Sequence, residues 1–169
     1  MSFLRIAVLA LVLAGTAGAS AIAAPSPLPG GSNQVNAVSG KLGDTLWNGV
    51  LRFKLVEVRD ATAADHPESV VPLATQKVIV VTAIIRNGTQ STWSELVTYT
   101  LADKDDVAFL IPGNLFTPVA LNIQQGASVK QSALVPIDKN FVPVKLLFQC
   151  TSCGKSFKAF RVTLAPPSQ

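Results

Sequence analysis

From residue 46 onward the chain alternates between apolar and polar positions. Leu51, Phe53 and Leu55 are separated by Arg52 and Lys54, the period-two pattern of a strand with one buried face. The phase then slips by one residue: Val56 and Val58 become the apolar positions, Glu57 and Arg59 the polar ones. A slip of this kind predicts a β-bulge or a strand crossing between sheets. Asn48-Gly49, just upstream, tolerates the positive φ that tight hairpin turns demand. Residues 60–75, with Asp60, Asp65, Pro67, Glu68 and Pro72, read as a long connection. The β-branched run from Lys77 to Arg86 predicts a central strand buried on both sides, ended by Asn87-Gly88. Trp93 to Leu101 places Trp93, Val97, Tyr99 and Leu101 on one parity and Ser94, Thr98 and Thr100 on the other. Asp103 to Asp106 reads as a turn. Further strands are predicted over 107–111, 116–123, 128–137, 142–149 and 157–164. No window repeats at three and four residues with caps at both ends, so little or no helix is expected. Seven or eight short strands imply an antiparallel sandwich or barrel, and one apolar strand among alternating neighbours favours the sandwich.

The N-terminus changes the picture. Arg5, the apolar run from Ile6 to Gly15 and the small residues through Ala24 are the three parts of a cleaved signal peptide. Of its two A-x-A sites the second predicts cleavage between Ala23 and Ala24, leaving residues 1–23 behind. The run is broken by Gly15, Thr16 and Gly18, too early for a spanning helix of about 20 residues. Residues 24–42, rich in Pro, Gly and Ser, read as a flexible leader. The β-domain is expected over 43–165, with a tail at 166–169. No cysteine follows the apolar run, and the C-terminus carries no hydrophobic tail or prenylation motif. The expected product is secreted or periplasmic, without stable membrane insertion.

The formal charge is +4, one unit of which is Arg5. Charges of both signs are interspersed without runs. Arg52, Lys54 and Arg59 are too few for a nucleic-acid or heparin patch and read as a solvated strand face, so no nucleic-acid partner is expected.

Three groups of residues, in order, resemble a family of secreted bacterial immunoglobulin-like domains. The first is Gly43-Asp44-Thr45 and Asn48-Gly49-Val50 leading into 53–58. The second is the apolar strand closing on Arg86-Asn87-Gly88-Thr89, followed by 100–105. The third is Leu121-Asn122-Ile123-Gln124-Gln125-Gly126, then 133–137 and 144–148. The chain is similar, over most of 43–164, to the DUF4352 domains and the mycobacterial immunoprotective extracellular protein group. The resemblance implies an Ig-like β-sandwich, an extracytoplasmic location and no catalytic residues. Cys150-Thr151-Ser152-Cys153 departs from the family pattern.

That departure is the one constellation with intrinsic reactivity. In an oxidising compartment an even cysteine count fits a disulfide between Cys150 and Cys153, stapling the loop between two strands. Two other readings stay open. A redox pair needs a depressed thiol pKa, for which Gly154 and Lys155 supply some positive field but no helix. A zinc site needs four ligands, and the single histidine, His66, sits in a remote polar loop. His66 is also the sole general-base candidate near neutral pH, but no G-x-S-x-G elbow presents a serine to it, and a surface histidine is the plainer account. Asp103, Asp105 and Asp106 lack the EF-hand order and read as a solvated turn. The single Met lies in the signal segment, which leaves a Met/His copper site unsupported. Trp47, Trp93 and Tyr99 form a ligand platform if they cluster, and at strand parity read as core or core rim.

The expectation is a non-enzymatic Ig-like module that binds a protein or cell-envelope partner, with no catalytic residue, metal or cofactor. The alternative is a periplasmic thiol–disulfide or metal-handling protein using Cys150 and Cys153.

Overall fold

The computed structural model describes residues 35–164. The signal segment, the Ala23–Ala24 junction, residues 24–34 of the leader and everything after 164 lie outside the described residues. Ten strands form two five-stranded sheets. In chain order they are β1 (Ala37–Lys41), β2 (Thr45–Trp47), β3 (Leu51–Asp60), β4 (Gln76–Asn87), β5 (Val97–Ala102), β6 (Ala108–Ile111), β7 (Phe116–Thr117), β8 (Ser128–Asp138), β9 (Lys145–Cys150) and β10 (Ala159–Thr163). The first sheet runs β1-β10-β9-β5-β6, the second β2-β3-β4-β8-β7. The expected all-β sandwich is therefore present, with ten strands rather than seven or eight. Three short 3-10 turns, at Ala63–Asp65, Pro67–Ser69 and Gly113–Leu115, are the helical content among the described residues.

The alternation in β3 does what its period predicts. Leu51, Phe53 and Leu55 are wholly buried against the opposite sheet. The phase slip is a β-bulge: pairing with β4 shifts between Leu55 and Glu57, leaving Val56 without a partner and returning Val58 to the inner side. Gly49 takes φ +95°, and the Asn48 side-chain oxygen accepts from Val50 N (3.0 Å) and Leu51 N (2.9 Å), so the Asn-Gly turn is fixed by side chain and backbone together. β4 lies in the middle of its sheet between β3 and β8, as its apolar run demands.

The core between the sheets is aromatic. Phe53 packs against Phe148 and Phe160 at centroid distances of 4.8 and 5.3 Å, and Tyr99 against Phe116 at 4.1 Å. Tyr99, on the first sheet, donates its hydroxyl to Gln131 Oε1 on the second at 2.6 Å, and Gln131 Nε2 donates to the Pro118 carbonyl at 2.7 Å. A buried phenol and amide thus satisfy one another across the sandwich.

Five expectations are corrected. The ordered chain begins before residue 43, because β1 (Ala37–Lys41) pairs with β10, and Leu42 N donates to the Thr163 carbonyl at 2.9 Å. Gly40, read as a flexible position, is held by close packing: a Cβ there would meet Leu46 Cδ2 at 2.5 Å. The β1–β10 pair is parallel, so the sandwich is not wholly antiparallel. The strand expected from Trp93 starts only at Val97; Trp93 makes an isolated bridge with Ile123. The strand expected over 116–123 ends at Thr117, since Pro118 has no N–H to continue the ladder.

Candidate functional site

The outer face of the second sheet is assembled by strand pairing from residues far apart in sequence. Trp47 on β2 pairs with Arg52 on β3, Arg52 with Arg86 on β4, and Arg86 with Ser128 on β8. One row along, Thr45 pairs with Lys54, Lys54 with Ile84, and Ile84 with Lys130. Four cations therefore share two adjacent rows, around a half-buried Ile84. Neighbouring strands lie about 4.8 Å apart, which places the Lys54 and Lys130 backbones about 9.6 Å apart across β4.

None of the four has a carboxylate partner among the described residues. Arg86 Nε donates to the Gly126 carbonyl at 3.1 Å, and the Arg52 guanidinium lies 5.0 Å from the centre of the Trp47 ring. The far edge of that indole rests on Gly88, where a Cβ would come within 2.4 Å of it. Elsewhere Arg59, Lys77, Lys104 and Lys145 are paired with carboxylates, the Lys77–Asp60 and Lys145–Asp106 pairs at 2.8 Å. Of the 14 basic residues in the chain, one is Arg5 and four form this quartet; the remaining nine face ten acidic residues. Arg5 aside, the quartet thus holds the whole positive surplus of the chain.

The next rows of the same face sink into a groove of about 640 Å³. Its floor is a hydrogen-bonded row: Thr82 Oγ1 donates to Glu57 Oε1 at 2.9 Å and lies 3.1 Å from Ser132 Oγ. One wall is the 60–75 connection, tied down where Arg59 donates twice to Asp65 at 2.8 and 2.9 Å. That guanidinium, with hydrogen bonds from Thr62, holds the Asp65 carboxyl well below the usual carboxylate range. The other wall is Asn114, Leu115 and Thr117. Lys130 belongs to both the cation rows and the groove rim, so the two are continuous.

The cysteines are placed differently. Cys150 and Cys153 are bonded, with their Cα atoms 5.4 Å apart, in the loop leaving β9. This loop is strapped to the segment before β5: Thr151 N donates to the Leu96 carbonyl (2.8 Å), Leu96 N to Ser152 Oγ (2.9 Å), and Ser152 Oγ to Glu95 Oε2 (2.6 Å). The Glu95 carboxylate and both sulfurs lie within 4.8 Å of one another. An anion there disfavours a thiolate, the reverse of what a reactive cysteine needs. As three groups, two of them tied in a disulfide, they fall short of a four-ligand zinc set.

His66 stands 79% exposed, with Nδ1 2.9 Å from Glu68 Oε1, and is remote from the cysteines in sequence. Asp103 is a turn residue whose Oδ1 accepts from Asp105 N and Val107 N, both at 2.9 Å, and Asp106 is engaged by Lys145. Trp47, Trp93 and Tyr99 do not form a platform: Trp93 and Tyr99 are buried, and Trp47 sits at the sheet edge. The residues missed from sequence are Arg86 and Lys130, which join Arg52 and Lys54 only once the β3–β4–β8 register is known. The two-residue spacing of Arg52 and Lys54 was the one linear trace of the patch.

No protein-family model matches the chain, and no curated protein does. Among solved structures it is similar to an uncharacterised β-sandwich protein from Clostridium difficile 630, at 10% identity and a TM-score of 0.46, covering 77% of this chain and 95% of that one. It is similar to a conserved hypothetical protein from Bacillus anthracis at 14% identity and a TM-score of 0.46, covering 71% and 94%. It is also similar to MPT63, a secreted protein from Mycobacterium tuberculosis, at 16% identity and a TM-score of 0.44, covering 77% and 98%.

Proposed function

We propose that this chain works outside the cytoplasm as a non-enzymatic, Ig-like module that binds a protein or cell-envelope partner through the outer face of its second sheet. The observation that carries this reading is the quartet Arg52, Lys54, Arg86 and Lys130, unpaired by carboxylates and continuous with the groove over Thr82 and Ser132. Like charges opposite one another on a sheet are unfavourable, so a face that gathers them makes sense when a partner supplies the counter-charge. The signal-like N-terminus and the disulfide fit an oxidising compartment. The resemblance to the DUF4352 domains belongs to the same reading. The thiol–disulfide alternative is weakened by Glu95 beside the sulfurs.

A photo-reactive side chain at Ser128, on this face, tests the reading against one at Lys155, beyond the cysteine loop. With a native envelope fraction, adducts are expected from Ser128 and not from Lys155. Equal or absent labelling overturns the reading, as does turnover of a disulfide substrate by the purified chain that Cys150→Ser abolishes.

A further inference from the structure

The cation quartet and the groove together specify the chemistry of the partner. We infer that this face binds a linear acidic polysaccharide, a glycan bearing carboxylate or sulfate groups. The inference rests on the binding-module reading above and names the partner class for the same face.

Three features lead there. First, the partner is anionic, since the rest of the mature chain carries one more acidic residue than basic and the four cations gathered on two adjacent rows meet no carboxylate among the described residues. Two of its members are arginines, whose planar forks match carboxylate and sulfate oxygens in pairs. Trp47 holds the Arg52 fork in place by stacking, which lowers the entropy lost on binding.

Second, the partner is a chain and not a plane. The cations run over the rim at Lys130 into a groove, a concavity that a bilayer does not enter. Surface-bound membrane proteins also bury projecting apolar side chains beside their cations. Here the most exposed apolar residues, Val71, Leu73, Leu96 and Val119, lie off the two cation rows, and Trp47, 43% exposed within them, packs on Arg52 and Gly88.

Third, beside the ion-paired Glu57, Arg59 and Asp65, the groove offers the hydroxyl and amide groups of Ser132, Thr117, Ser69 and Asn114. A polymer that alternates anionic groups with sugar hydroxyls meets cations first and hydrogen-bonding partners next. Single-stranded nucleic acid calls instead for a series of aromatic platforms, and this face offers Trp47 alone, already stacked on Arg52.

The test uses the mature chain with heparin (sulfated) and polygalacturonate (carboxylated) as probes. Neutral dextran, phosphatidylglycerol-containing vesicles and short single- and double-stranded DNA serve as comparisons. Binding to at least one acidic glycan is expected, weakening as salt rises. Arg52→Ala with Arg86→Ala should weaken it by at least about tenfold, two charge-assisted contacts being lost. Lys104→Ala with Lys155→Ala removes the same charge elsewhere and should leave it within about twofold. Circular dichroism of each variant confirms the fold. Absence of binding to both glycans overturns the inference, and so does an equal loss in the two double variants. Equal or tighter binding to vesicles or DNA overturns it too. If the Ser128 label captures an envelope protein while both glycans fail, the glycan inference falls and the binding-module reading stands.

Discussion

The two outer faces of the sandwich are built from the same strand chemistry and end in opposite states. On the first sheet the face closes upon itself. Leu147 sits in an outer row between Thr100 and Arg161, yet is 5% exposed, and Ala102 and Ala159 on the same side are buried. Arg161 reaches over to the Val35 carbonyl at 2.8 Å and Ser39 Oγ at 3.2 Å, fastening β1 to the sheet, while Lys145 pairs with Asp106. On the second sheet Arg52 stands opposite Arg86, and these two with Lys54 and Lys130 take no carboxylate among the described residues. A face whose charges are satisfied internally has little left to offer a partner. One whose charges are not carries its own demand for a ligand.

The largest expected effect concerns the contact that joins the two sheets. Burial pushes the Tyr99 phenol well above its usual range. The folded-state pKa being the higher, stability is full below about pH 10 and falls as pH rises, by about 1.4 kcal/mol per pH unit until the folded value is reached. Tyr99 is the single tyrosine in the chain, so tyrosinate absorbance reports on it alone. Tyrosinate should form only as the circular dichroism of the fold is lost, and Tyr99→Phe should remove that alkaline slope. Ionisation near pH 10 in an intact fold would uncouple the two sheets and undo the prediction.

Next comes a direct contrast of arginines. Arg161→Ala should destabilise by about 2 kcal/mol, through lost hydrogen bonds and the uncovering of Leu147. Arg86→Ala, on the other face, should change stability by no more than about 0.5 kcal/mol. Urea unfolding of the pair decides it; equal costs would mean that the two faces are built alike.

That contrast was half legible in the sequence. The sandwich, the β3 bulge and the Asn48-Gly49 turn follow from local signals: alternation, a one-residue slip and a pair tolerant of positive φ. β1 was not legible, because Ala37–Lys41 holds a glycine and finds its parallel partner more than a hundred residues later. Gly40 looked permissive, while its cause is the nearness of Leu46. Asn87 read as a turn residue; it is buried, donating to the carbonyls of Ser91 (2.7 Å) and Ile123 (2.9 Å) while its oxygen accepts from Thr89 N. The quartet is the plainest case. Arg52 and Lys54 alone were a solvated face, and only the pairing of β3, β4 and β8 brings Arg86 and Lys130 beside them.

Within the second face the groove floor is satisfied from inside. Thr82→Val should cost about 1 kcal/mol, since Glu57 and Ser132 each lose a partner that is itself buried. Thermal unfolding checks it. A neutral outcome would place the floor hydroxyls with the unsatisfied part of the face, available to a ligand.

The smallest effect is the sharpest test of whether the open face is frustrated. Arg86→Glu sets a carboxylate opposite Arg52, replacing a like-charge cross-strand pair with an opposite one, and should stabilise by about 0.3 kcal/mol. The gain should vanish in 1 M salt, where the screening length is about 3 Å. The same substitution should weaken acidic-glycan binding, because it inserts a negative charge in the middle of the quartet. A variant that is slightly more stable and binds less tightly is what a surface selected for its partner produces: each cation there is worse for the fold than its replacement. A loss exceeding about 1 kcal/mol would instead assign Arg86 a structural role through Gly126 and make the two faces alike after all.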